Sequence, residues 1–247
     1  MAQYLRESYI PNMKIGTWNV AYGRGPTVNV RRRKEMASHQ ADVWVLTETH
    51  ESLSLGESFD HFDSGPRPVE ARLVDDKSHW VTIWVRRDLK ARILKVEFDT
   101  ERTVACEIET PNRPLVIFGT VLPWYNDTKS YDEQIAGQSE DWNRLESAAS
   151  DQLCVAGDFN VNVGGDHYYG SRLSRLAVEE CLNDSRLTLV TNYDATKSCY
   201  PDHGLIDHVA ISTNLASSVV SIDVLPKRDR DGRPLSDHCG VVVQLEL

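Results

Sequence analysis

Residues 153–160 read Leu-Cys-Val-Ala-Gly-Asp-Phe-Asn: four apolar side chains in a row, a glycine, then an acid and an amide around one aromatic ring. A short continuous apolar run bounded by turn residues reads as a strand, and here two polar groups follow it at once. The same texture recurs in both directions. Candidate strands cover Met13–Val20, Val43–Leu46, Trp80–Val85, Ala91–Val96, Val104–Ile108 and Leu115–Val121, then Leu187–Thr191, Leu205–Ile211, Val219–Val224 and Cys239–Leu245. Three windows, Val28–His39, Asp132–Ser150 and Gly170–Cys181, carry apolar residues at helical spacing. Many strands with few helices predict two packed sheets with helices laid outside them. No repeat or Gly/Ser/Pro linker divides the chain, so one domain over residues 1–247 is expected.

Polar residues end or interrupt five of these runs. Asn19 follows Ile15-Gly16-Thr17-Trp18, and Glu48 comes two residues after Val43–Leu46. Asp158 and Asn160 close the run quoted above. Asp207 and His208 interrupt Leu205–Ile211, while Asp237 and His238 directly precede Cys239-Gly240-Val241. Turn chemistry accounts for any one of them. Five together, given the cost of burying a bare carboxylate, point to strand ends converging at the mouth of one cleft. A hard divalent cation takes such oxygen ligands together with water and substrate phosphate. Neighbouring amides and an imidazole would stabilise the phosphate's developing charge. By alternation His208 faces away from Asp207 and belongs to packing. Trp18, Trp44, Trp80 and Trp84 are expected in the core, with Cys154 and Cys239 as buried thiols. The basic run Arg31-Arg32-Arg33-Lys34 opens a helical window and reads as a solvated face.

At 247 residues the chain is long enough for a large core. It carries 27 basic and 37 acidic side chains, a net charge of −10, so contact with a polyanion would need a local basic patch. Alternatively, some of the carboxylates hold a cation. No stretch approaches the ~18 apolar residues of a membrane span, so no membrane insertion is expected. The charged N-terminal residues do not read as a secretion signal. Five scattered cysteines without a Cys-x-x-Cys pair fit a reducing cytoplasm better than a zinc ribbon or a disulfide framework. No obligate protein partner is evident.

The chain resembles the endonuclease/exonuclease/phosphatase superfamily. The resemblance rests on Thr17-Trp18-Asn19-Val20, Leu46-Thr47-Glu48-Thr49, Gly157-Asp158-Phe159-Asn160, Ile206-Asp207-His208-Val209 and Leu235-Ser236-Asp237-His238-Cys239-Gly240-Val241, in family order over nearly the whole chain. It implies a four-layer α/β sandwich, with two mixed sheets face to face, helices outside and the site at one sheet edge. It also implies Mg²⁺, with Mn²⁺ as a substitute, and a phosphoester substrate. Carried over by residue, Glu48 is the main metal ligand, with Asn19 beside it holding metal and phosphate. Asp158 orients or activates the attacking water, and Asn160 holds a phosphate oxygen. Asp237 sits by the metal or acts as an alternative base. His238 donates to the scissile phosphate and is kept protonated by Asp207, a pairing that makes chemical sense by itself.

Three positions depart from the family pattern. Ala21 stands where apurinic endonucleases carry a second acid, Thr120 or Val121 where a Tyr or His usually faces the phosphate, and Thr47 where many members have Gln. Substrate contact is assigned to Tyr125 and to His167 and Tyr168, whose rings would stack on a base or sugar; tyrosines that anchor loops look the same in sequence. Three functions stay open: a nuclease, which is the leading reading, a phosphatase or phosphodiesterase on a small or lipid head-group phosphoester, and a retired domain that binds a phosphorylated ligand. Competent residues at every main catalytic position argue against the last.

Overall fold

The computed structural model describes residues 12–67, 75–148, 152–166, 169–198, 200 and 204–247. The chain first builds β1 (Met13–Asn19), β2 (Val43–His50), β3 (Phe59–Asp63) and β4 (Ser78–Arg86) of one sheet. It then lays down β5 (Ala91–Leu94), β6 (Thr103–Ile108), β7 (Leu115–Val121), β8 (Leu153–Asp158), β9 (Leu187–Leu189) and β10 (Asp207–Ser212) as a second. Finally β11 (Val219–Leu225) and β12 (Gly240–Leu245) return to the first. The strand orders are β11-β12-β1-β2-β4-β3 and β5-β6-β7-β8-β10-β9. Among the described residues each sheet has one parallel pair, β1 with β2 and β7 with β8; the other pairings are antiparallel.

A parallel neighbour requires a crossover, normally helical. The crossover α1 (Pro26–His39) joins β1 to β2, and α2 (Tyr131–Ala148) joins β7 to β8. A third helix, α3 (Arg172–Asp184), leads from β8 to β9. Three apolar cores separate the resulting four layers. Ile15, Val45, Ile83, Ile117, Ala156, Val209 and Val243 fill the space between the sheets. Phe118, Ile135, Trp142, Val155 and Leu182 bind α2 and α3 to the second sheet. Met36 of α1 packs with Trp18, Trp44, Leu46 and Trp84 on the first. The expected four-layer sandwich is the observed one. No helix among the described residues is long and apolar enough to cross a membrane.

The period-2 alternation of these strands decides where the polar ends point. Met13 and Ile15 of β1, Cys154 and Ala156 of β8, and Val209 and Ile211 of β10 all face the inter-sheet core. Asn19, Asp158 and Asp207 lie in phase with them, so the three face the gap between the sheets at one edge. Gly157 is what lets β8 pass there. A Cβ at this position would lie 1.9 Å from the Thr120 carbonyl oxygen, at φ 146°, so any side chain would drive β8 off β7 immediately before Asp158.

Two features differ from the sequence expectation. Strand β3 has no continuous apolar run and is only partly buried, because it is the edge strand of its sheet. Arg32 is buried within its basic run. Its Nε donates to the Leu235 carbonyl at 2.7 Å and its Nη1 to Asn29 Oδ1 at 2.9 Å. This arginine therefore ties α1 to the loop before β12.

His208 behaves as alternation predicts. It is fully buried, with Nε2 3.0 Å from the Val161 carbonyl and Nδ1 3.1 Å from Thr191 Oγ1. The carbonyl partner assigns the proton to Nε2. Burial holds the ring neutral and pulls its pKa down to about 4. The unfolded chain takes up this proton near pH 6.5, so between these values it binds more protons than the native state. The contribution of His208 to stability therefore falls as pH drops through that window, by about 2 kcal/mol on reaching about pH 5. On going from neutral pH to near pH 5 the urea midpoint should move further toward lower stability in the wild type than in His208→Gln; identical signed changes would contradict this origin.

Candidate active site

The convergence begins with Asn19, the last residue of β1. Its backbone N–H donates to Asp207 Oδ1 at 2.7 Å, and its Nδ2 donates to Asp158 Oδ2 at 3.0 Å. Its own Oδ1 accepts from the Ala21 N–H at 2.9 Å, which fixes the amide's orientation. Asp158 and Asp207 sit opposite one another in the antiparallel register of β8 and β10. All three residues are buried.

Onto this pair the loop before β12 lowers His238. Nδ1 lies 2.6 Å from Asp207 Oδ2 and 4.0 Å from Asp158 Oδ2. Burial alone would lower the pKa of this imidazole, but Asp207 and Asp158 outweigh it and raise it to about 10. His238 is thus a cation whose Nδ1–H is committed to Asp207. Nε2 has no protein partner among the described residues. The residue lines a cavity of about 420 Å³ together with Tyr169, Tyr200, Leu205, Lys227 and Asp237. Asp158 shifts in the direction useful to a base: burial and the nearby Asp207 charge push its pKa up to about 7, against the pull of His238 and Asn19. A carboxyl poised near neutrality suits proton abstraction.

Backbone strain marks the next two residues. Asn160 has φ 51° and Glu48 φ 52°, a left-handed conformation costly for residues other than glycine and concentrated at functional sites. The Asn160 N–H donates to Asp158 Oδ1 at 2.9 Å, and its Nδ2 to the Leu122 carbonyl at 2.9 Å. Glu48 follows Thr47, the register partner of Asn19, and its Oε2 lies 3.7 Å from Arg67 Nη1. Asp237 is exposed beside His238.

The structure therefore brings Asn19, Asp158, Asn160, Asp207 and His238 into one hydrogen-bonded cluster, with Asp237 adjoining it. Glu48 stands on the neighbouring strand facing Arg67. Tyr125 is 91% exposed, and no contact among the described residues ties it to the cluster. His167 and Tyr168 lie outside the described residues. Sequence reasoning gave no role to Ser236, although it sits inside a quoted motif. Its hydroxyl donates to the Asn19 carbonyl at 2.6 Å and accepts from the His238 N–H at 3.1 Å, clamping the loop to β1. Arg67 had no sequence signal, since it lies in an irregular stretch away from every motif.

Asp158, Asp207 and His238 each offer a ligand atom within 4.8 Å of the others. In this arrangement, however, the His238 nitrogen already donates to Asp207, so the trio holds a proton where a metal would sit. The remaining donors, Glu48, Asp237 and Asn19 Oδ1, are all oxygens, the set that suits a hard divalent cation such as Mg²⁺.

A search of curated protein sequences finds no match. Among solved structures the chain is similar to the endonuclease domain of TRAS1, a telomere-specific non-LTR retrotransposon, at 17% identity and TM-score 0.67, covering 96% of this chain and 99% of that one. It is similar to the AP endonuclease LMAP of Leishmania major at 16% identity and TM-score 0.67, covering 96% and 88%. The 3′-5′ exonuclease NExo of Neisseria meningitidis gives 17% identity and TM-score 0.65 over 95% and 100%. At such identities the likeness establishes the fold. The sequence itself supplies the assignment: residues 16–238 match the model of the Endonuclease/Exonuclease/phosphatase family, and the chain belongs to that family.

Proposed function

We propose that the protein is a Mg²⁺-dependent phosphodiesterase that cleaves nucleic acid by direct attack of water. One observation carries this reading: a base-like buried carboxyl and an acid-like imidazolium, Asp158 and His238, lie 4.0 Å apart, with Asp207 hydrogen-bonded to the imidazole at 2.6 Å. In the reaction Asp158 takes a proton from water as its oxygen bonds to phosphorus and the ester P–O bond breaks. Asn160 and Nε2 of His238 hold phosphoryl oxygens, and Asp207 keeps the imidazolium charged and aimed. A divalent cation on Glu48, Asn19 Oδ1 and Asp237 would supply charge stabilisation at the phosphate and leaving oxygen. The nuclease preference draws on the endonuclease, AP endonuclease and exonuclease among the structural neighbours.

A compact phosphoester is the second reading. The cavity beside His238, at about 420 Å³, falls in the range of small-ligand pockets. Incubation with Mg²⁺ and a panel of plasmid, single-stranded DNA, RNA, nucleotides and inositol phosphates separates the two. Chelator-sensitive strand cleavage supports the nuclease, and phosphate release from small esters alone supports the second. Binding without turnover of any of them would leave a retired domain.

On the substrate so identified, Asp158→Asn and His238→Gln should each lower kcat by about 10²–10⁴ while stability changes by less than about 2 kcal/mol. Near-normal turnover in either would refute its role. Glu48→Gln should shift the Mg²⁺ activation curve to higher concentration, with partial rescue in excess metal; a loss of activity that no Mg²⁺ concentration relieves would count against Glu48 as a ligand.

A further inference from the structure

We infer that Arg67 couples cation binding to phosphate binding: its charge weakens the hold of Glu48 on a divalent cation until an anionic phosphoester lies between the two. This rests on the reading of Glu48 as a cation ligand given above. The Arg67 guanidinium lies 3.4 Å from the centroid of the Trp80 ring and 5.1 Å from that of Tyr22. Its Nη1 is 3.7 Å from Glu48 Oε2, and only 9% of its side chain reaches solvent. A cation stacked this closely on an indole is partly desolvated, so little water screens its field at Glu48.

The surroundings fix the guanidinium there. Tyr22 sits in a turn where Ala21, Tyr22 and Gly23 have φ 46°, 69° and 59°, strained for the first two. A Cβ on Gly23 would lie 2.7 Å from the His50 backbone nitrogen, so this turn is pressed onto the end of β2. Trp80 in turn packs against Trp124 at 5.5 Å and lies 4.9 Å from the Arg102 guanidinium. Asp127 answers that second charge in a bidentate pair at 2.7 and 3.0 Å.

A divalent cation and a guanidinium sharing one carboxylate repel each other. A phosphoester placed between them attracts both, so phosphate strengthens cation binding, and by linkage the cation strengthens phosphate binding by the same factor. The metal is then held firmly only when there is a phosphate to act on.

Calorimetric titration of the full chain with Mg²⁺, alone and with saturating inorganic phosphate, tests this in the wild type, Arg67→Met and Arg67→Lys. Without phosphate, Arg67→Met should bind Mg²⁺ at least about fivefold more tightly than the wild type, and it should lose the wild type's gain on adding phosphate. Arg67→Lys keeps the charge but not the planar stack, and should fall between. Near-UV circular dichroism reports folding; if Arg67→Met is unfolded, Arg67→Gln takes its place, tighter Mg²⁺ binding than wild type supporting the coupling and equal binding overturning it. Equal Mg²⁺ affinity in wild type and folded Arg67→Met, or an unchanged phosphate effect, overturns the coupling and leaves Glu48 as a ligand. No Mg²⁺ binding to the wild type, with or without phosphate, overturns both the coupling and the reading it rests on.

Discussion

Asn19 joins the two sheets through hydrogen bonds to two buried carboxylates. Its backbone N–H meets Asp207 and its side-chain N–H meets Asp158, so one residue of β1 satisfies two strands of the opposite sheet. Each such bond to an ionised acceptor contributes roughly 1.5–3 kcal/mol. The larger effect is avoided cost, since a carboxylate left unpaired at this depth would be strongly unfavourable. At this edge the sandwich is closed by polar chemistry where elsewhere it is closed by aliphatic packing. Ser236 and Trp18 extend the joint by holding the loop of His238 to β1, the indole Nε1 donating to the His238 carbonyl at 3.0 Å.

That joint also sets the electrostatics. Two carboxylates and one imidazole share a largely buried space, and only some of their charges can be expressed together. Asp207 takes the direct hydrogen bond to His238, and Asp158 is left with Asn19 and the backbone of Asn160. The two aspartates hold the imidazole cationic, while burial and the Asp207 charge raise the second carboxyl toward neutrality.

Much of this was legible in the chain because strand alternation is a rigid rule. Once Ile15, Ala156 and Val209 are placed in the inter-sheet core, Asn19, Asp158 and Asp207 must share its face, and His208 must point the other way. The order of the quoted motifs then carried the family and the layers. Legibility failed where function depends on irregular backbone. Strand β3 lacks an apolar period because it is the edge strand of its sheet. Arg32 resembles a surface charge in sequence, but its guanidinium is needed by carbonyls that only the folded loop presents. Arg67 is placed by stacking on rings far away in the chain, which no local pattern encodes. Tyr125 extends into solvent while the neighbouring Trp124 stacks on Trp80, a difference between adjacent aromatics that the sequence does not announce.

The net charge of −10 bears on how a phosphoester reaches this cleft. At physiological ionic strength an exposed charge is felt over roughly 8 Å, so an acidic body gains little from long-range steering of an anion. Attraction must act at contact. The positive groups at the cleft meet that requirement by being shielded from water: His238 by burial against Asp207, and Arg67 by its aromatic stack. Both lie beside carboxylates that cancel their fields at a distance and leave them strong at the bottom of the site.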